Sequence, residues 1–155
     1  MKLEYKRVLL KLSGEMLGEN GRLFDFGIID HVAKVLVEIA QKTQLGVVIG
    51  AGNIWRGRSG GEMDRVTADQ MGMLGTVINC LAMRDAVQRA GGKAVVMSAI
   101  EMPRVCEVYT KKMNSPRQKL RARAMAISGT DTAVTFSRKE DLKMSLKLMV
   151  FLSLS

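Results

Sequence analysis

The chain has 155 residues, 47% of them hydrophobic and 25% charged, which is ordinary globular usage and enough to bury a core. It contains no apolar run long enough to cross a bilayer, and Met1-Lys2-Leu3-Glu4 does not open a signal peptide, so a cytoplasmic protein without membrane contact is expected. The net charge of +9 is concentrated at one end: residues 1–110 hold 14 Lys and Arg against 12 Asp and Glu, whereas residues 111–155 hold 10 against 3.

In chain order, Arg7-Val8-Leu9-Leu10 reads as a strand opening into Lys11-Leu12-Ser13-Gly14-Glu15. Ile28, Val32, Val35, Leu36 and Ile39 recur at helical spacing, which predicts an amphipathic helix over 28–42 with those residues on its core face. His31, the only histidine, lies on this helix with no acid or nucleophile at motif spacing and reads as a surface or half-buried residue. Leu45 to Ile49 is a second strand. Thr67-Ala68-Asp69-Gln70 has the form of a capping box and opens a long helix whose predicted buried stripe is Met71, Leu74, Ile78, Leu81 and Ala82. Gly91-Gly92 ends that helix, and Ala94 to Ser98 is a third strand before a loop through Met102-Pro103. Strand, loop and helix recurring in this order predict an α/β fold with a mostly parallel sheet.

The chemistry sits where strands end. Gly50-Ala51-Gly52-Asn53-Ile54-Trp55-Arg56-Gly57 follows the second strand directly, and its glycines let backbone N–H groups approach an anion while Arg56 offers a cationic fork. Lys11 to Glu15 places a lysine and another glycine turn at the end of the first strand, so two phosphate-bearing ligands are expected. The spacing is neither a Walker A loop nor a dinucleotide G-x-G-x-x-G fingerprint. Cys80 and Cys106 are too few for a disulfide framework and lack metal-ligand spacing, so they read as free thiols, and no protein metal site is expected.

Taken together, K-L-S-G-E, then G-A-G-N-I-W-R-G, then Asp64-Arg65-Val66-Thr67-Ala68-Asp69-Gln70-Met71-Gly72-Met73-Leu74 resemble the amino-acid-kinase superfamily and, within it, the bacterial uridylate (UMP) kinases. The motif resemblance runs from about residue 5 to 108. It implies an αβα sandwich that moves the γ-phosphoryl group of ATP, with Mg2+, onto UMP to give UDP. Phosphoryl transfer asks mainly for positioning and charge cancellation, which lysine, arginine and backbone N–H groups supply. By this resemblance Lys11 and Arg56 are catalytic, and Lys11, Leu12, Ser13, Gly14, Gly52 and Arg56 hold ATP. Ala51 and Asp69 lie on the UMP side, Asp69 accepting from the ribose hydroxyls. The same resemblance implies a homo-hexamer activated by GTP and inhibited by UTP. Lys11 could instead be a solvated strand-end lysine, and Asp69 a carboxylate serving only the helix dipole. Ala51 stands where many relatives have the middle of three glycines, and a need for positive φ there would cost about 1 kcal/mol. Gly72 and Gly75 permit close packing on the helix, and Trp55 reads as apolar support for the loop.

After Tyr109 the motif resemblance stops and the basic run begins. Ser128 to Ala133 faintly echoes a threonine-rich loop of the uridylate kinases. The reading is therefore two parts, 1–110 as the N-terminal side of a kinase domain and 111–155 as a divergent basic tail, replaced by a frameshift or truncation. A sheet deprived of its later strands would present an unpaired edge, so the chain is expected to be poorly soluble or molten, with kinase activity orders of magnitude below an intact relative that deletion of residues 111–155 does not lower further. Two other functions stay open: a catalytically inactive nucleotide-binding remnant, and a basic RNA-binding protein. The second lacks interleaved aromatics, with Phe136 and Phe151 the only ones after Tyr109, and no specific nucleic-acid partner is expected.

Overall fold

The computed structural model describes residues 7–56, 63–108 and 148–152. Strand β1 (Arg7–Leu12) leads through a 3-10 turn (Gly14–Leu17) to helix α1 (Phe26–Ala40), strand β2 (Gln44–Ile49), helix α2 (Arg65–Arg89), strands β3 (Ala94–Ser98) and β4 (Glu107–Val108), and finally β5 (Leu148–Leu152). The five strands form one sheet in the order β1-β2-β5-β3-β4. β1 and β2 are parallel, in a register that sets Leu12 beside Ile49, and β3 and β4 are parallel as well. β5 runs antiparallel to both of its neighbours. The four strands before residue 109 therefore share one direction, as the recurrent strand-loop-helix order requires.

β5 is the departure from expectation. Leu148–Leu152 comes from the basic C-terminal segment, yet it occupies the centre of the sheet, pairing Val150 with both Val47 and Val96. β2 and β3 consequently have a ladder partner where the sequence pointed to an open edge. The rest of residues 109–147, including the Ser128–Ala133 echo, lies outside the described residues.

One core joins sheet and helices. Val47 and Ile49 of β2, Val96 of β3, Leu36 and Ile29 of α1, and Val77, Met83 and Val87 of α2 are all buried. Each large side chain so placed contributes about 1.5–3 kcal/mol against exposure. Asp25 caps α1 by accepting from the Ile28 N–H at 3.1 Å. Its inward face is Ile29, Ala33, Leu36 and Val37, with Val32 and Ile39 packed partly against it, while Val35 is exposed. The predicted face was thus turned by about one residue: Val35 and Val32 are β-branched and hydrophobic, but Ala33 and Val37 hold the tight contact positions. His31 is exposed.

α2 corrects two expectations. It starts at Arg65 with Asp64 as its cap, the Asp64 Oδ2 accepting from the Thr67 N–H at 3.0 Å and the Thr67 hydroxyl at 3.2 Å. Thr67 is therefore the residue being capped rather than the cap, because an aspartate three positions earlier is the stronger acceptor. The inward stripe is also different. Ala68, Gly75, Val77, Asn79, Cys80, Met83, Ala86 and Val87 are buried, whereas Met71, Leu74 and Ile78 of the expected stripe are exposed. Leu81 packs partly against the core. Small residues replace large apolar ones on the buried side because a loop, described next, lies directly on the helix. Among the described residues no helix is long and apolar enough to cross a membrane.

Candidate functional site

Because β1 and β2 are parallel neighbours, the loops that leave them start side by side at the carboxyl edge of the sheet. The Gly50 N–H donates to the Leu12 carbonyl at 2.9 Å, extending the ladder by one bond before the two loops diverge. Open α/β sheets place ligands at such an edge, where strands end and chain direction splits.

The first loop is short and wedged under the second. Ser13 caps the 3-10 turn, its hydroxyl accepting from the Glu15 N–H at 3.4 Å. Gly14 is buried, and a Cβ there would collide with the Gly50 carbonyl oxygen and lie 2.7 Å from Asn53 Oδ1 and 2.8 Å from the Gly52 nitrogen. Glycine is thus demanded at this position by space between two backbones. At Gly52 a Cβ would stand 3.2 Å from the Glu15 Cγ and Oε1, so the two loops touch there too.

The second loop lies along α2, running toward the helix N-terminus. Asn79, at 0% exposure, donates to the Gly50 carbonyl at 2.7 Å and to Asn53 Oδ1 at 2.7 Å. Asn53 in turn donates to Asn79 Oδ1 at 3.1 Å and to the Leu23 carbonyl at 2.7 Å. One turn earlier on α2, a Cβ on Gly75 would meet the Ala51 Cβ at 3.0 Å and Ile54 at 3.6 Å, and Gly72 faces Trp55. The close packing expected of Gly72 and Gly75 is what the helix provides. Ala51 costs no backbone strain: the one non-glycine residue with positive φ among those described is Asn20. Its methyl group fills the hollow over Gly75. The Ile54 and Trp55 N–H groups donate to the Ala51 carbonyl at 2.9 and 2.8 Å, closing the loop into a tight turn. The indole Nε1 of Trp55 is buried and has no partner among the described residues.

Arg56 joins the two loops. Its Nη2 lies 2.6 Å from Glu15 Oε1 and its Nε donates to the Gly52 carbonyl at 3.3 Å. Both side chains are more than half exposed, so the ion pair is worth about 0–1 kcal/mol and an incoming anion can take the guanidinium over at little cost. Among the described residues the backbone N–H groups of Ala51, Gly52 and Asn53 have no acceptor, and successive unpaired amides in a glycine-rich turn are the groups with which loops can bind anions.

Of the residues expected at the site, Ser13, Gly14, Ala51, Gly52 and Arg56 are therefore brought together. Leu12 is buried and serves the core beneath them. Lys11 is half-buried at the penultimate position of β1, opposite Val48, with no ion pair among the described residues. Asp69 is half-buried in the second turn of α2, on the helix face that carries Gly72 and Asn79, three residues before Gly72. It stands five residues beyond the cap, inside the helix. Glu15 and Asn79 were not singled out by sequence reasoning. For Asn79 a signal existed, an amide set among Val77, Cys80 and Met83 on an otherwise apolar face. Burial pushes the thiols of Cys80 and Cys106 upward, keeping them protonated and inert. Among the described residues no three carboxylate, imidazole or thiol groups converge, so nothing here forms a protein cage for a metal ion.

Comparison with known proteins gives the same frame. The model of the amino acid kinase family matches residues 6–139. The crystal structure of UMP kinase from Ureaplasma parvum superposes with a TM-score of 0.65 at 36% identity over 68% of this chain and 48% of that one. That of UMP kinase from Bacillus anthracis gives 0.63 at 38% identity over 69% and 46%. The chain thus spans about half the length of these two enzymes. With the family model matching most of its residues, the chain belongs to the amino acid kinase family.

Proposed function

We propose that the chain is a phosphotransferase of the UMP kinase type, moving the γ-phosphoryl group of ATP onto UMP to give UDP and ADP. The observation that carries this reading is a loop at the carboxyl ends of β1 and β2 that holds three successive backbone amides without an acceptor and the exposed Arg56, packed against a glycine-tight first loop. In it the amides of Ala51, Gly52 and Asn53 and the guanidinium of Arg56 hold phosphate oxygens, Arg56 leaving Glu15 to do so. Lys11, at the end of β1, supplies the charge that offsets the migrating group, and its contribution is greatest in the transition state. Asp69 accepts hydrogen bonds from the ribose hydroxyls of the acceptor. The Mg2+ that accompanies ATP would offset charge on the nucleotide's phosphates. The likeness to two UMP kinases at 36% and 38% identity supports UMP as acceptor. Because the chain spans about half of each, a second reading is nucleotide binding without turnover.

The test is UDP formation from ATP and UMP with Mg2+, beside calorimetric binding of each nucleotide to the same protein. Asp69→Asn should weaken UMP binding by about 1–3 kcal/mol through a lost charge-assisted hydrogen bond. Lys11→Ala should lower turnover far more than UMP affinity. Binding without UDP selects the second reading, and failure of both nucleotides to bind removes the function altogether.

A further inference from the structure

Asn79 is a fully buried amide in the middle of a core helix, a position where a polar group is costly unless every hydrogen bond is made. Here they are made: both its N–H groups and its carbonyl are used, and all three bonds go to the Gly50–Asn53 segment. Its neighbours on the same face, Gly75 and Gly72, are cut down to admit that segment. We propose that Asn79, acting with Asn53, is the positioning residue of the anion loop, fixing the Gly50–Ala51 peptide so that the amides of Ala51, Gly52 and Asn53 stand open to phosphate.

The geometry follows from the planar trans peptide, in which C=O and the next N–H point in opposite directions. Holding the Gly50 oxygen against α2 turns the Ala51 N–H away from α2. Asn53 closes the far end of the loop, and its second donor bond to Leu23 ties in the chain that precedes α1. One amide pair thereby locks the loop to α2 on one side and to the segment after the 3-10 turn on the other. A loop held open before the ligand arrives binds more tightly than one ordered by it. Asn79 need not touch the ligand.

The inference rests on the phosphate-site reading above, and the experiment separates the two. Trp55 is the only tryptophan and lies within the loop, so its emission reports loop geometry in the full-length chain. Inorganic tripolyphosphate and ATP, each titrated against Trp55 fluorescence, are the probes. Asn79→Leu should shift the ligand-free emission to the red and weaken both probes about tenfold or more. Asn53→Ala, a milder change at a half-buried residue, should weaken them about three- to tenfold, and the double variant should bind no worse than Asn79→Leu because one unit is being removed. Val87→Ala, equally buried but at the far end of α2, should lower thermal stability while leaving affinity within about twofold and emission unchanged. Wild-type affinity or emission in Asn79→Leu overturns the inference, as does an equal loss in Val87→Ala. If Asn79→Leu does not fold, unchanged emission and affinity in Asn53→Ala overturn it instead. If the unmutated chain responds to neither probe, the phosphate-site reading fails and the inference falls with it.

Discussion

Gly14 shows how little chemistry a decisive residue can carry. Its role is the absence of a side chain, since a Cβ would press on the Gly50 carbonyl, Asn53 Oδ1 and the Gly52 nitrogen at once. Backbone cannot retreat as a flexible side chain can, so Gly14→Ala should cost about 1–3 kcal/mol in urea unfolding and abolish phosphate binding together. An alanine variant of wild-type stability would show that the loops are looser than drawn. Gly52 is more forgiving, because the flexible Glu15 side chain is what its Cβ would meet. The glycines at 14, 50 and 52 could be recognised in the sequence as loop residues, but not sorted. Spacing identifies a glycine-rich turn, whereas which glycine faces backbone and which faces solvent depends on a loop more than thirty residues away.

At the scale of elements, α2 is the helix whose reading changed most. Counting large apolar residues selects Met71, Leu74 and Ile78, yet the helix turns Gly75, Asn79 and Ala68 inward because the Gly50–Arg56 loop lies on it and leaves no room for longer side chains. The start of the helix offers a direct check. Hydrogen bonds from the Thr67 backbone and hydroxyl hold the Asp64 carboxyl below its ordinary value. A depressed carboxylate stabilises the fold fully above the ordinary range near pH 4, and that contribution is lost as pH falls through the lowered value. Asp64→Ala should therefore reduce the unfolding midpoint by a few degrees at neutral pH, with the difference from wild type fading in acid. Asp64→Asn, which caps without titrating, should keep most of the neutral stability and lose the pH dependence. If Thr67 were the cap, Asp64→Ala would change nothing and Thr67→Ala would do the damage. Across the helices, α1 and α2 are joined at their surfaces by Arg89, which bridges Asp30 and Asp85. Exposed ion pairs of this sort add little beyond orientation.

For the whole molecule the test lies in β5. Leu148–Leu152 forms ladders with both β2 and β3, so the sheet is continuous only through a segment that the sequence marked as foreign to it. Removing residues 148–155 should expose two strand edges in the middle of the sheet, with loss of a cooperative thermal transition and aggregation on size-exclusion chromatography. Unchanged melting and a monodisperse profile would show that the sheet does not depend on the segment. What the amino-acid sequence determined by itself was local: strand and helix order, the parallel run of β1, β2 and β3, and two glycine loops at strand ends, all written in the spacing of residues near one another. Tertiary structure alone decided which faces of α1 and α2 turn inward, that Asp64 outcompetes Thr67 for the cap, that Asn79 bonds to the Gly50–Asn53 loop, and where Leu148–Leu152 inserts. Each of these is settled by a partner distant in the chain or by competition between neighbours for one hydrogen bond, and neither leaves a periodicity that a linear reading can detect.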